Sequence, residues 1–323
     1  MIEERQALVS AEDAALDFVT MGKSGPKVST IGLGCNNFGW SISAEASKPV
    51  VHKALDLGVT LFDTADIYGD PPGKAESVLG PLLKGKRDQI VLTTKFGYDF
   101  SGGPPNNSRD YIMRAIDASL KRLETDWVDI YMLHIPDPKT PLEETLRALD
   151  DIVKSGKARY IAVSNMAPWQ VVEANCLAKE LGTRSFIAAQ NEYSLLERSP
   201  ERELIPALKA HGMALNPYFP LASGMLTGKY LTGGAGRLKD NFLGLGGKFL
   251  TERNHAIVAK LNDYAQSRGR TLIELALSWL VCQPVVAGVI AGATRAEQVE
   301  QNVKAVSWRM SADEVAEINA IAA

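Results

Sequence analysis

Cysteine is scarce in this chain: three in 323 residues, at Cys35, Cys176 and Cys282. An odd number so widely spaced excludes a secreted disulfide framework and offers no metal knuckle. No other metal-ligand spacing stands out. Long apolar runs are missing too. None approaches the ~20 residues that cross a bilayer. The first twenty residues carry Glu3, Glu4, Arg5, Glu12, Asp13 and Asp17 where a secretory leader has its apolar segment. A basic excess is also absent. The formal net charge of -3 gives no positive field for nucleic acid or anionic lipid. The expected compartment is the cytoplasm, and the expected partner is a small molecule, not nucleic acid or a membrane. Oligomeric state is not readable.

What is present is ordinary globular material, 46% apolar and 23% charged. Short β-branched runs alternate with helical patterns. Strands are expected at 31–34, 59–63, 90–95, 128–134, 159–164, 186–190, 213–218 and 286–290. Successive strand ends fall about thirty residues apart, room for one helix and two short loops, which is the signature of βαβ units. Eight such units predict an α/β fold of one domain, a (β/α)8 barrel. Between them, 109–123 places Ile112, Ile116, Leu120 and Leu123 on one face behind a cap at Asn107 or Ser108. Segment 141–154 opens with Thr140-Pro141, read as a cap followed by proline at the first helical position, and stops at Gly156. Residues 1–16 read as a polar extension ahead of a domain at 17–323. Residues 223–250 form a glycine-rich loop after the seventh strand, and so over the barrel mouth.

Four polar side chains close three successive apolar runs. Asp63 and Tyr68 follow Val59-Thr60-Leu61-Phe62, Lys95 follows Ile90-Val91-Leu92, and His134 follows Ile130-Tyr131-Met132-Leu133. In a barrel these strand ends converge on the catalytic face. A phenol has a reference pKa of ~10. A neighbouring ammonium favours the phenolate, so Lys95, held by Asp63, is expected to lower Tyr68. Tyr68 then donates a proton to a carbonyl oxygen that His134 positions, while another group delivers hydride. Taken singly, Tyr68 reads as a loop aromatic, Lys95 as a surface lysine and His134 as a core histidine. Their joint placement is the argument.

The chain resembles the aldo-keto reductase superfamily, including its channel-beta-subunit-like branch. The likeness rests on Met21 to Ser29, Ile31-Gly32-Leu33-Gly34-Cys35, Phe62 to Gly69, Gly73-Lys74-Ala75-Glu76 with Leu79-Gly80, and Ser119-Leu120-Lys121-Arg122-Leu123. It continues through Asp129 to His134, Gly156 to Asn165, Gln190 to Ser194 and Leu226 to Tyr230. The resemblance implies a (β/α)8 barrel with an N-terminal β-hairpin, a nicotinamide cofactor, and the tetrad Asp63, Tyr68, Lys95, His134. It implies Ser164, Asn165 and Gln190 at the carboxamide and Tyr218 stacked on the ring, with Pro220, Leu221, Gly224 and Lys229 following. Phe219 departs from the family's usual serine, which puts one polar cofactor contact in doubt. Gly292, Thr294, Arg295, Gln298 and Asn302 are the implied contacts to the adenosine 2'-phosphate and adenine. Thr294 is read as opening a helix, whose N-terminus suits phosphate. NADP is therefore favoured over NAD.

Two patterns are set aside. Gly32-Leu33-Gly34 starts like a dinucleotide fingerprint, but Asn37 stands at its last position. Asn106-Asn107-Ser108 is a glycosylation sequon in a chain with no visible secretory route. Trp40, Phe96 and Tyr98 are the expected substrate wall. The activity expected is reversible NADPH-dependent reduction of aldehydes or ketones. An NADP-binding regulatory module and a sugar or secondary-alcohol dehydrogenase stay as alternatives.

Overall fold

The computed structural model describes residues 16–100, 102–240 and 244–323. Apart from Leu16, the expected extension 1–16 lies outside them. An antiparallel hairpin comes first, β1 (Phe18–Thr20) with β2 (Lys27–Ser29). Eight parallel strands follow. They are β3 (Ile31–Gly34), β4 (Leu61–Asp63), β5 (Val91–Phe96), β6 (Val128–Leu133), β7 (Ala158–Ser164), β8 (Ala188–Gln190), β9 (Ala214–Leu215) and β10 (Val289–Gly292). Each pairs with its sequence neighbour, and β10 returns to β3. The ring closes where Leu215 N donates to Val285 O (2.8 Å) and Ala287 N to Leu215 O (3.1 Å). This is the single-domain (β/α)8 barrel that the strand spacing implies.

Two strands differ from expectation by three residues at one end; the others agree to within two. The run 213–218 pairs regularly only over Ala214–Leu215, since Pro217 has no N–H to donate. The last strand begins three residues late because its approach changes partner, with Val286 bridging β9 and Val289 onward pairing with β3.

Side chains alternate across the barrel wall, as strand geometry demands. Leu61, Val91, Ile130, Met132, Ala162, Ala188 and Ala214 fill the interior, with Met21 and Val28 of the hairpin in the same cluster. Phe62, Leu92, Tyr131 and Leu133 face the helices. Those helices include α1 (Ala44–Asp56), α2 (Lys74–Leu82), α3 (Arg109–Leu123), α4 (Leu142–Lys154), α5 (Pro168–Leu181) and α6 (Leu204–His211). Helix α3 is capped at Ser108. Helix α4 starts one residue later than the sequence suggests, with Pro141 itself as the cap. Thr140 turns its hydroxyl to Asp137 instead (2.6 Å). Gly80 lets α2 approach α3; a Cβ there meets the Leu123 carbonyl at 2.6 Å.

The segment after β9 is more structured than a plain loop. It makes 3₁₀ turns at Ala222–Thr227 and Lys229–Thr232, then helix α7 (Leu245–Phe249). Helices α8 (Glu252–Gln266), α9 (Leu272–Val281), α10 (Ala296–Ala305) and α11 (Ala312–Ala322) complete the chain. Thr271–Glu274 and Ser311–Glu314 are reciprocal capping boxes at the starts of α9 and α11. No described helix is long and apolar enough to cross a membrane, and no described His, Cys, Asp and Glu cluster could hold a metal.

Candidate active site

Strand alternation brings the four polar residues together. Asp63 ends β4, and Lys95 sits on β5 with Thr93 and Val91 on the inward face. Lys95 Nζ lies 2.6 Å from Asp63 Oδ2, 2.9 Å from Thr64 O and 3.4 Å from Tyr68 OH. Gln190 Nε2 donates to the other carboxylate oxygen of Asp63 at 2.9 Å. The turn after β4 carries Tyr68 back over this pair. His134 follows β6 directly, and its ring meets Tyr68 edge-on at 5.6 Å and Tyr98 edge-on at 4.9 Å.

Burial dominates the electrostatics. Lys95 is completely buried. Burial pulls its pKa down most strongly, but Asp63 and Tyr68 together leave it above the ordinary lysine value. His134 is driven well below the usual histidine value, first by burial and then by Lys95, so its ring is neutral. Tyr68 runs against expectation. Lys95 does pull the phenol down, but burial outweighs it and the pKa ends above 10. Net, the site holds Tyr68 as a protonated acid.

A second chain of hydrogen bonds extends from His134. Asn165, at a φ of 56°, donates to His134 O (3.0 Å) and Ser164 Oγ (3.1 Å). Tyr218 OH donates to Asn165 Oδ1 at 2.9 Å. Ser164 Oγ donates to Gln190 O at 2.8 Å. Ser164, Asn165, Gln190 and Tyr218 thus form one connected shelf beside the tetrad.

Past Tyr218 the backbone is strained. Phe219, Ala222 and Ser223 all have positive φ (51°, 46° and 54°), a cost that persists only where the surroundings over-determine it. Ser223 Oγ is buried without a hydrogen-bond partner among the described residues. Gly224 lies under the Lys229 side chain; a Cβ there meets Lys229 Nζ at 3.4 Å. An orphaned hydroxyl in a left-handed turn, next to a glycine that an ammonium covers, fits a phosphate-bearing cofactor. Pro220 is buried and Leu221 half-buried in the same turn.

The other expected cofactor residues are scattered along the end of β10. Thr294 donates both its N–H (2.7 Å) and its hydroxyl (3.0 Å) to Gln298 Oε1. Helix α10 starts after Arg295, so Arg295 is its cap and Thr294 lies one residue outside. Arg295 is exposed, with Glu297 at 4.0 Å. Gly292 faces Asn36 and Asn37. Asn302 borders the narrow gap between α10 and β3.

One residue escaped sequence reasoning. Arg237, inside the long segment after β9, hydrogen-bonds Asn37 Oδ1. Asn37 in turn donates to Ala293 O at 3.4 Å. Arg237 therefore joins that segment to the end of β10. Its only signal in the sequence is a basic residue just after Gly233, Gly234 and Gly236, with Lys239 two residues on, which sets no direction.

The expected substrate wall divides. Tyr98 stands against His134 and Trp40 is 52% exposed, with Gly39 O accepting from Asp70 N near Tyr68. Phe96 is not at the mouth. It is fully buried and stacked on Tyr131 at 4.6 Å. As Lys95 points inward, its neighbour must point to the helices.

Asp63, Lys95, Tyr68 and His134 thus gather at the carboxyl ends of the strands of an eight-stranded parallel barrel. The profile of the Aldo/keto reductase family matches residues 30–323, and the chain belongs to that family. Such reductases generally use NADP(H), which supports a nicotinamide cofactor. Among curated proteins, the chain is 39% identical over 312 residues to "L-glyceraldehyde 3-phosphate reductase" of Escherichia coli (strain K12), covering 92% of this chain and 90% of that one. It is 37% identical over 304 residues to a "Probable voltage-gated potassium channel subunit beta" of Arabidopsis thaliana (90% and 91%). Against "Versiconal hemiacetal acetate reductase" of Aspergillus parasiticus it is 32% identical over 333 residues (93% and 95%).

Proposed function

We propose that this protein, through residues 17–323, reduces aldehydes or ketones to alcohols with NADPH, reversibly and in the cytoplasm. The observation that carries the reading is Lys95 Nζ between Asp63 and Tyr68 OH, with the neutral His134 ring alongside. A bound reduced nicotinamide supplies the hydride. Tyr68, held as a phenol, gives its proton to the carbonyl oxygen. Lys95 stabilises the phenolate left behind, and Asp63 fixes Lys95. His134 offers an N–H to the same oxygen. Asn165, Ser164 and Gln190 orient the carboxamide, and Tyr218 supplies the stacking face. Ser223, Gly224, Lys229 and Arg237 hold phosphate; Thr294, Arg295, Gln298 and Asn302 take the adenosine end, where Arg295 favours NADP over NAD. Trp40 and Tyr98 wall the substrate.

The test follows the loss of reduced-nicotinamide absorbance with a panel of aldehydes and ketones, NADPH beside NADH. Turnover with some carbonyl and preference for NADPH is expected. Tight NADPH binding with no turnover in either direction would replace this reading with a regulatory, binding-only role, the one suggested by the likeness to the channel subunit.

A further inference from the structure

Behind the tetrad, across the barrel wall, lies a second buried charge cluster. Thr94 points to the helices because Lys95 points inward. Its hydroxyl donates to Glu76 Oε1 at 2.5 Å, and Glu76 is fully buried. Arg122 of α3 donates from Nε to Glu76 Oε2 at 2.7 Å. Asp66 belongs to the same cluster. It is 1% exposed, two residues before Tyr68, and its own N–H donates to Lys95 O at 3.1 Å. Apart from the neighbouring Ile67 N–H, neither of its carboxyl oxygens has a hydrogen-bond partner among the described residues. The groups in electrostatic reach are Glu76 of α2, Arg122 and Tyr111 of α3, Lys95 of β5 and Tyr131 of β6, with the Ile67 N–H alongside.

The pairing leaves Asp66 over. Lys95 is committed to Asp63, and Arg122 to Glu76. A third carboxylate here has no cation of its own, and an unpaired buried charge is expensive enough that the group takes up a proton instead. We propose that Asp66 is a neutral carboxylic acid in the working protein, a positioning residue that keeps the wall behind Lys95 free of excess negative charge. Burial, then Glu76, pushes Asp66 well above the usual carboxylate range, in keeping with this. With Asp66 neutral, Lys95 answers only to Asp63 and Tyr68. Ionising Asp66 adds a negative charge behind Lys95 and raises Tyr68 further.

The inference on Tyr68 rests on the reductase reading, but the protonation state can be tested without turnover. An unfolded Asp loses its proton near pH ~4. If the folded group keeps its proton, the folded state binds more protons above that pH, so stability falls as pH rises until Asp66 ionises. Asp66→Asn is permanently neutral and escapes this loss. Its melting temperature relative to wild type is therefore expected to climb by about 5 °C or more between pH ~4.5 and pH ~8. A difference that is flat or falling means the folded carboxyl is ionised, and overturns the proposal. Asp66→Glu, which keeps the titrating group, is expected to track the wild-type slope; a flat profile for it also counts against the idea. If the protein turns over alcohols, the alkaline rise in oxidation, which needs the Tyr68 phenolate, should coincide in wild type and Asp66→Asn, because both side chains are neutral behind Lys95. A rise that comes earlier in Asp66→Asn would mean that wild-type Asp66 is ionised there, and would overturn the proposal while leaving the reductase reading intact.

Discussion

The two ends of the barrel each bury an aspartate, and they treat it differently. At the amino ends of the strands, Asp129 is 2% exposed and fully surrounded. Arg87 reaches its Oδ2 at 2.9 Å, Arg159 its Oδ1 at 3.1 Å, and Leu92 N donates to Oδ2 at 2.9 Å. Trp127 completes the arrangement, with both guanidinium carbons 3.6 Å from its ring centroid. Two such groups can only lie on opposite faces, so the indole is sandwiched. Each stacked guanidinium contributes about 0.5–2 kcal/mol. At the carboxyl ends, Asp63 is also satisfied, but its surroundings are not. Among the described residues, Thr64 Oγ1, both oxygens of Asp66, His134 Nδ1, Asn191 Oδ1, Glu192 Oε1 and Ser223 Oγ are buried without well-formed hydrogen bonds, whereas the amino-end cluster leaves Arg87 Nε alone. One end is a clamp built for stability. The other leaves buried polar atoms unsatisfied around the groups proposed to react, a cost in stability of the kind that active sites carry.

The widest separation between the ends comes from Tyr68→Phe. It removes the acid and little else, so turnover is expected to fall by ~10²–10⁴, or about 3–5 kcal/mol of barrier. Melting should stay within a degree or two, and cofactor affinity should hold. Activity surviving the change would remove Tyr68 from its role. The converse is Asp129→Ala, which strands Arg87 and Leu92 N. Breaking a buried ion pair costs ~3–5 kcal/mol, so denaturation should shift by that much while turnover per folded molecule stays within about twofold. A tenfold loss of turnover with unchanged stability would show that the clamp is part of the chemistry.

The sequence made the reactive end more legible than the clamp, for a physical reason. Strand-end polar residues after apolar runs are conspicuous, so Asp63, Lys95 and His134 could be placed from periodicity and barrel geometry alone. Phe96 failed because proximity in sequence to Lys95 was taken as proximity in space, while the pleat sends adjacent residues to opposite faces. The direction of the Tyr68 shift also failed, since a nearby ammonium is visible in sequence and the degree of burial is not. The clamp was invisible. Arg87, Trp127, Asp129 and Arg159 come from three separate segments, and each reads singly as ordinary strand-flanking polarity. Arg237 was missed likewise, because a glycine-rich segment does not say where it folds back.

The smallest effect sharpens the comparison by pH. His134 is 8% exposed and holds its ring neutral, with a pKa well below the usual value. The unfolded chain protonates this histidine near pH ~6.5, and the folded protein does not. Below that pH the unfolded state therefore binds more protons, and stability falls as pH drops toward the folded value. The loss grows by at most about 1.4 kcal/mol per pH unit, until the folded ring itself takes up a proton. His134→Gln lacks the titrating ring, so its melting temperature should gain on wild type as pH falls from ~7.5 to ~5. Arg87→Lys, altered at the other end of the barrel, should show no such convergence, because both arginine and lysine stay charged throughout that range. If wild type and His134→Gln lose stability in parallel on acidification, the folded imidazole takes up its proton over the same pH range as in the unfolded chain, and its enforced neutrality is overturned. The acid sensitivity would then belong to neither end in the way their burial implies.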